Sequence, residues 1–373
     1  MMTTDKIGVY VHIPFCIRKC NYCDFCSYPD KYETVADAYI ERLLSEAQEY
    51  KKLGKISADT LYFGGGTPSL LSPLSLEKIL SGLSSVFDFS PDTEFTLEAN
   101  PGTVTRDKLR DYKSLGVNRI SIGLQSIHDN ELKKLGRIHS YAEFYDCYNM
   151  LRALGYDNLS VDLMYGIPEQ TTESFDKTLS AITELSPEHI SAYGLILEEE
   201  TPFYKMRDSL AIPDEDTECD MYRMACERLA RSGYGHYEIS NYAKPGRESR
   251  HNLKYWLGEE FIGLGAAAYS YLDGARFGNV RSLDGYMSGA PRENTERESI
   301  EDKRFEYAMM RLRLARGIDL REYEARFGTP FLEGREEKIN KYVAHGLMTL
   351  GDGSLAFTER GFYLSNTVMA DIL

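Results

Sequence analysis

The chain has 373 residues, 42% of them hydrophobic and 27% charged, with a formal net charge of −15 at pH 7. That length suits one large α/β domain with one or two appendages, and the composition is that of an ordinary folded chain. The acidic balance leaves no overall electrostatic footprint for nucleic acid or an anionic membrane surface, so no nucleic-acid partner is expected, and an odd seven cysteines exclude a disulfide framework and suit a reducing compartment.

The opening Met-Met-Thr-Thr-Asp-Lys is polar, and no apolar run approaches the ~20 residues of a transmembrane helix. A cytoplasmic location without a transmembrane segment is expected. Residues 7–14 read as a short buried strand ending at Pro14. Directly after it comes Cys16-Ile17-Arg18-Lys19-Cys20-Asn21-Tyr22-Cys23, three thiols at C-x3-C-x2-C spacing. Thiolates so close can wrap one face of an inorganic centre. A four-iron cube needs four ligands, so three thiolates leave one iron open to the amino and carboxylate groups of a small molecule such as S-adenosylmethionine (SAM). Structural zinc is the competing reading, but it wants a fourth ligand and usually a second pair downstream. Neither Cys147 nor the pair Cys219 and Cys226 supplies a C-x2-C knuckle; Cys26, three residues past Cys23, could be a fourth ligand, but the tight spacing suits a cluster loop better.

Apolar positions Val35, Tyr39, Leu43, Ala47 and Tyr50 mark a helix over 33–53, stopped by Gly54. A strand over 58–63 runs into Gly64-Gly65-Gly66-Thr67-Pro68, and a helix follows at 73–86. Strand 94–98 ends at Asn100-Pro101-Gly102, and a helix at 105–115 ends at Gly116. Strand 119–125 precedes helices 128–135 and 141–154. Strand 159–166, helix 171–185 and strand 189–197 complete a series of six strands alternating with helices. That alternation predicts parallel βαβ units, and a barrel of about six units rather than a closed eight. Polar groups collect at the strand C-terminal ends, the edge where parallel sheets bind ligands.

After residue 200 the pattern changes. A helix is expected at 214–232, then the polar segment His251-Asn252-Leu253-Lys254-Tyr255-Trp256 and the small-residue run 261–268. The charged stretch 291–302 is a linker candidate. The tail holds helices at 302–315, 319–327 and 332–345, a hairpin turning on Gly351-Asp352-Gly353, and a final helix from near Thr358. Helices followed by a two-stranded wing suggest a winged-helix-like module; an acidic chain without a basic helix favours a packing or partner-contact role for it. The expected domains are 1–232 for the core, 233–299 for an extension and 300–373 for this module.

Tyr10-Val-His-Ile-Pro-Phe-Cys16-x3-Cys20-x2-Cys23, Gly64-Gly-Gly-Thr-Pro68, Glu98-Ala-Asn-Pro101, Gly123-Leu-Gln125, Asp162-Leu-Met-Tyr-Gly-Ile-Pro168 and His251-Asn-x2-Tyr-Trp256 together resemble radical SAM proteins related to oxygen-independent coproporphyrinogen III oxidase. Within that superfamily the chain looks like the haem chaperone (HemW-like) branch. The oxidase has a further cysteine two residues after the third, where this chain has Phe25, and a longer N-terminal extension. The resemblance implies an α/β fold, a partial (β/α)6 radical SAM barrel, with a [4Fe–4S] cluster on Cys16, Cys20 and Cys23. It places Tyr10 and Tyr22 against SAM and Arg137 where the family meets a carboxylate. It also implies haem as cargo, haem-acceptor proteins (respiratory ones among them) as partners, and a homodimer. The alternative within the same resemblance is a radical enzyme that oxidatively decarboxylates a porphyrinogen propionate.

Residue chemistry runs beside that resemblance. Gly65 and Gly66, with Thr67, lack bulk where backbone must approach a ligand, and their N–H and C=O groups suit the methionyl amino and carboxylate groups. Glu98 ends an apolar strand and suits pairing with an ammonium. Gln125 and Asp162 also end strands and suit ribose hydroxyls or the methionyl amine. Asp162 and Arg137 would otherwise be an ordinary ion pair or cap. His12, in an apolar strand, reads as a core histidine. His251, in a polar loop beside Tyr255 and the only tryptophan, Trp256, is the expected haem contact, because imidazole ligates haem iron and aromatics stack on porphyrins.

Overall fold

The computed structural model describes residues 6–29, 31–290 and 292–373. Six parallel strands form its centre: β1 (Ile7–Ile13), β2 (Ile56–Gly65), β3 (Phe87–Ala99), β4 (Arg119–Gln125), β5 (Leu159–Tyr165) and β6 (His189–Gly194). They pair in that order, β1 with β2 through to β5 with β6, every pair parallel. The helices between them are α1 (Tyr32–Gln48), α2 (Pro73–Ser84), α3 (Arg106–Ser114), α4 (Asp129–Leu135), α5 (Tyr141–Ala153) and α6 (Thr172–Leu185). Their starts are written in the sequence. Ser72, Thr105, Ser140 and Thr171 each accept a backbone N–H at the first turn, and Ser140 with Glu143 closes a capping box.

Alternation along each strand sorts side chains into two environments. In β1, Val9, Val11 and Ile13 are fully buried, on the face shared with Leu43, Ile79 and Leu83 of the helical layer. Tyr10 and His12 take the opposite, inner face, where they line a cavity. The inner register of the other strands is polar: Thr60 in β2, Thr96 and Glu98 in β3, Arg119 and Ser121 in β4, Ser160 and Asp162 in β5, and Ser191 in β6. An apolar outer face drives packing, and a polar inner face leaves the lumen for chemistry.

The sheet is larger than six strands. β7 (Gly235–Glu238) and β8 (Asn241–Ala243) add antiparallel beside β6. At the other edge β9 (Phe261–Leu264) pairs parallel with β1, followed by antiparallel β10 (Tyr269–Leu272), β11 (Ala275–Gly278) and β12 (Glu293–Arg297). The order is β12-β11-β10-β9-β1-β2-β3-β4-β5-β6-β8-β7, an open sheet of twelve strands. The small-residue run 261–268 therefore holds a seventh parallel strand, and both edges come from the extension 233–299.

The linker candidate 291–302 is corrected likewise. Pro291 lies outside the described residues, but Glu293–Arg297 is an edge strand and the next helix starts at Ile300. A charged sequence suits the outermost strand of a sheet, where it discourages pairing with another chain. The expected strand 94–98 starts seven residues earlier, at Phe87, through a break in register opposite Ala58 and Thr60 that absorbs Pro91.

Two further helices complete the barrel's surroundings: α7 (Glu215–Arg231), capped by Asp214, and α8 (Arg250–Leu257), capped by Ser249. The tail has helices Ile300–Arg311, Leu320–Phe327 and Glu336–Ala344 and a hairpin of Met348–Gly351 with Ser354–Phe357. A two-residue strand, Ile318–Asp319, makes the expected two-stranded wing three-stranded. This unit is tied to the barrel by Ile239 N donating to Arg313 O and Ala315 N to Tyr237 O, each at 3.0 Å. No helix among the described residues is long and apolar enough to cross a membrane.

Candidate cluster and cofactor site

At the C-terminal ends of the parallel strands lies a cavity of about 340 Å3. Cys16, Cys20, Cys23, Tyr22, Gly65, Gly66, Thr67, Glu98, Gln125, Arg137 and Asp162 all line it. Eleven positions from a sequence span of nearly 150 residues thus meet in one hollow. The cysteine loop is anchored by Asn21, whose side-chain amide donates to Lys134 O at 2.8 Å and whose N–H donates to Leu135 O at 2.9 Å. Thr67 Oγ1 is 3.5 Å from Cys16 Sγ, and Arg137 Nη1 is 3.8 Å from Cys20 Sγ. Burial pushes the Cys16 thiol up and the Cys23 thiol up to about 11. Without a bound cationic centre these sulfurs hold their protons. Three soft sulfur donors on one short loop, with an open cavity beside them, fit a [4Fe–4S] centre. Among the described residues no group of three His, Cys, Asp or Glu side chains is gathered to hold a single metal ion.

The glycine turn is sterically required. Gly65 has φ +114°, and a Cβ there would lie 2.6 Å from the His12 ring; a Cβ on Gly66 would lie 2.7 Å from Phe15 O. Gly65 N donates to Glu98 Oε2 at 3.2 Å, and Tyr62 Oη donates to Glu98 Oε1 at 2.8 Å. Glu98 is nonetheless pushed up to about 7, first by burial and then by its neighbour Asp162. Asp162 is raised by burial as well, although Ser121 Oγ donates to it at 3.1 Å. Gln125 has φ +77° beside a break in the β4–β5 register, a bulge that re-aims its side chain at the cavity rim. Arg137 Nη2 donates to Asn100 Oδ1 and to Gly123 O, both at 2.5 Å, which fixes its guanidinium across the mouth. Buried carboxylates raised by desolvation favour a positively charged ligand, whose arrival would return them to the ionised form.

Two expected site residues lie elsewhere. Tyr10 lines a second cavity, with its hydroxyl donating to His12 Nδ1 at 3.0 Å while His12 Nε2 donates to Cys26 O at 2.8 Å. His251 is not in a polar loop. It sits in the first turn of α8, 1% exposed, stacked on Tyr62. Its Nδ1 meets Thr60 Oγ1 and its Nε2 meets Tyr255 Oη, each at 2.8 Å. Burial pushes it down to about 3, so it is neutral. A haem contact from His251 would require the Tyr255 ring to move. Trp256, the next residue, points away to Arg313 of the C-terminal unit.

Sequence reading missed Asn100, Ser121 and Tyr193 in the cavity wall, and Arg119, buried beneath it among Glu98, Asp162 and His251. For Arg119 and Ser121 the signal was present, as polar residues alternating in β4 with the apolar Ile120 and Ile122.

Comparison with known proteins places this arrangement. Residues 10–182 match the Radical SAM superfamily and residues 299–364 the HemN C-terminal domain. Similar proteins named heme chaperone HemW include one from Lactococcus lactis subsp. lactis (strain IL1403), 37% identical over 98% of this chain and 97% of that protein. Another, from Escherichia coli (strain K12), is 36% identical over 99% and 98%, and one from Bacillus subtilis (strain 168) is 34% identical over 98% and 99%. This chain belongs to the HemW branch of the radical SAM family. Its fold is also that of coproporphyrinogen III oxidase (HemN) from Escherichia coli, a radical SAM enzyme, with a TM-score of 0.86 and 22% identity over 98% of this chain and 89% of that one.

Membership in the radical SAM family implies a [4Fe–4S] cluster and SAM. Held by Cys16, Cys20 and Cys23, such a cluster would offer an electron-transfer centre next to the sulfonium of SAM. The protein's own part is to hold and screen. The buried carboxylates complement positive charge, the glycine turn offers backbone N–H and C=O groups, and Arg137 offers a guanidinium to a carboxylate.

Proposed function

We propose that this protein is a cytoplasmic haem chaperone, which carries a [4Fe–4S] cluster and SAM at the barrel mouth, takes up haem and passes it to acceptor proteins, respiratory haem proteins among them. The observation that carries this reading is similarity along nearly the whole chain, at 34–37% identity, to proteins named haem chaperones. In this reading Cys16, Cys20 and Cys23 hold the cluster. Gly65, Gly66 and Thr67 meet the methionyl end of SAM, and Glu98 pairs with its positive charge. Gln125 and Asp162 serve its polar groups, Arg137 its carboxylate, and Tyr22 packs against it. Tyr10 acts from the next layer, through His12 and Tyr62. The C-terminal unit, 300–373, serves packing and partner contact.

Phe25 stands where the oxidase pattern has a further cysteine, which supports a carrier over a decarboxylase. The test is anaerobic incubation of the cluster-loaded chain with coproporphyrinogen III, SAM and a reductant, beside a haem titration read at the Soret band. The expected result is saturable haem binding with no vinyl product. Vinyl product at catalytic turnover would overturn the carrier reading in favour of a radical enzyme.

A further inference from the structure

The barrel has a second cavity, of about 300 Å3, which the cluster site does not use. It lies between β1 and the extension strands β9 and β10, and Phe25 lines both cavities. Two of the most exposed aromatic side chains of the molecule meet here, Phe25 at 69% and Tyr269 at 47%. The Tyr269 ring lies across Gly278, its cross-strand partner, with ring carbons 2.9–3.1 Å from where a Cβ would stand. Its inner face is thus held against backbone, and half of the residue is left to solvent. Tyr255 and Phe261 pack edge-to-face at 4.6 Å and also line the cavity. At the rim stands Arg281, its side chain 63% exposed, with Asp24 as its ion-pair partner at 3.4 Å.

An aromatic-walled slot with a cation at one end suits a flat, largely apolar ring that carries carboxylates on one edge. Aromatic faces stack on such a ring, and a guanidinium meets the carboxylates in a fork. The volume is at the lower end of small-molecule sites, which suits a ligand held by one edge and able to leave. We propose that haem docks in this second cavity, between Phe25 and Tyr269, with its propionates at Arg281. This rests on the haem chaperone reading and locates its cargo. Cluster and haem then occupy neighbouring cavities that share one wall, Phe25. Tyr255, which covers His251, forms another part of the haem slot.

The test uses the full chain with its cluster reconstituted. Haem is titrated anaerobically into wild type, Tyr269→Glu, Arg281→Glu and, as a control on α7, Arg223→Glu. Iron–sulfur absorbance and far-UV circular dichroism must match wild type, to show that each variant is folded and loaded. Tyr269→Glu and Arg281→Glu should each weaken haem binding by about tenfold or more, the size of one lost stacking or charge-assisted contact, while the control stays within about twofold. A second readout needs no variant. Cys26 lines the same cavity and is partly accessible, so bound haem should slow its alkylation by iodoacetamide, followed by peptide mass spectrometry. Variants that bind haem like wild type, or a Cys26 alkylation rate that haem leaves unchanged, would overturn the placement. A wild-type chain with no saturable haem binding would overturn the chaperone reading itself, and the placement with it.

Discussion

Replacing Glu98 by Gln isolates one charge at the heart of the cofactor cavity. In the ligand-free chain burial holds this carboxyl at about 7. A cationic ligand that restores an ordinary glutamate value of about 4.5 would gain on the order of 3 kcal/mol from this group when fully expressed. Between pH 6 and pH 8 the free carboxyl goes from about one-tenth to about nine-tenths ionised, so affinity for SAM should rise about tenfold from this group alone. The amino group of SAM also titrates near that range, but it does so equally against both proteins. The quantity to measure is therefore the ratio of the Glu98→Gln Kd to the wild-type Kd, by anaerobic calorimetric titration. That ratio should climb about tenfold from pH 6 to pH 8. Stability has the opposite sign. A carboxyl raised in the folded state contributes stability that is fully present below its unfolded value near 4.5 and is lost as pH rises through about 7. Ligand-free Glu98→Gln should accordingly be the more stable protein at pH 8. A ratio constant within about twofold across this range would refute the idea that Glu98 answers a positive charge.

Gly65→Ala should cost about 1–3 kcal/mol in thermal unfolding, because its φ of +114° strains any side chain and the new methyl meets the His12 ring; SAM affinity should fall with it, and an unchanged melting temperature would count against the turn geometry. His251→Ala leaves the Thr60 and Tyr255 hydroxyls without their partner in a closed interior, so the urea midpoint should report a loss of about 2–4 kcal/mol. A loss below about 0.5 kcal/mol would show that the ring is not packed as described. Arg119→Met removes the buried cation that lowers both Glu98 and Asp162. The pH at which SAM affinity rises should therefore move upward, and no movement would separate Arg119 from the site. Cys16→Ala, Cys20→Ala and Cys23→Ala should each abolish the brown iron–sulfur absorption after anaerobic reconstitution, whereas Cys26→Ala should keep it.

Why the barrel was legible in sequence and the edges were not follows from how far apart the pairing residues lie. Strand β4 was read with its boundaries intact, and each strand–helix unit was bounded by local caps and glycines. Ser140 with Glu143, or Gly116 after α3, acts within a few residues. β9 gave no such signal. Phe261–Leu264 is four residues with a glycine inside, and its partner in the sheet is β1, some 250 residues earlier. β12 was hidden by its charge, which is what an outermost strand needs. The site was legible where polar groups interrupt apolar strands at their C-terminal ends, as Glu98, Gln125 and Asp162 do. It failed at His251, although Ser249 before it and Gly258 after it are a helix start and stop. The polar residues between them suggested a loop, and burial of the imidazole between Thr60 and Tyr255 depends on strand β2, far away in sequence.

As a carrier, the chain is expected to hand haem to another protein. Stopped-flow mixing of the haem-loaded, cluster-loaded chain with an apo b-type haem protein tests it most directly. The rate of haem appearance on the acceptor should rise with acceptor concentration and exceed spontaneous haem release. A rate fixed at that of spontaneous release, whatever the acceptor concentration, would contradict it.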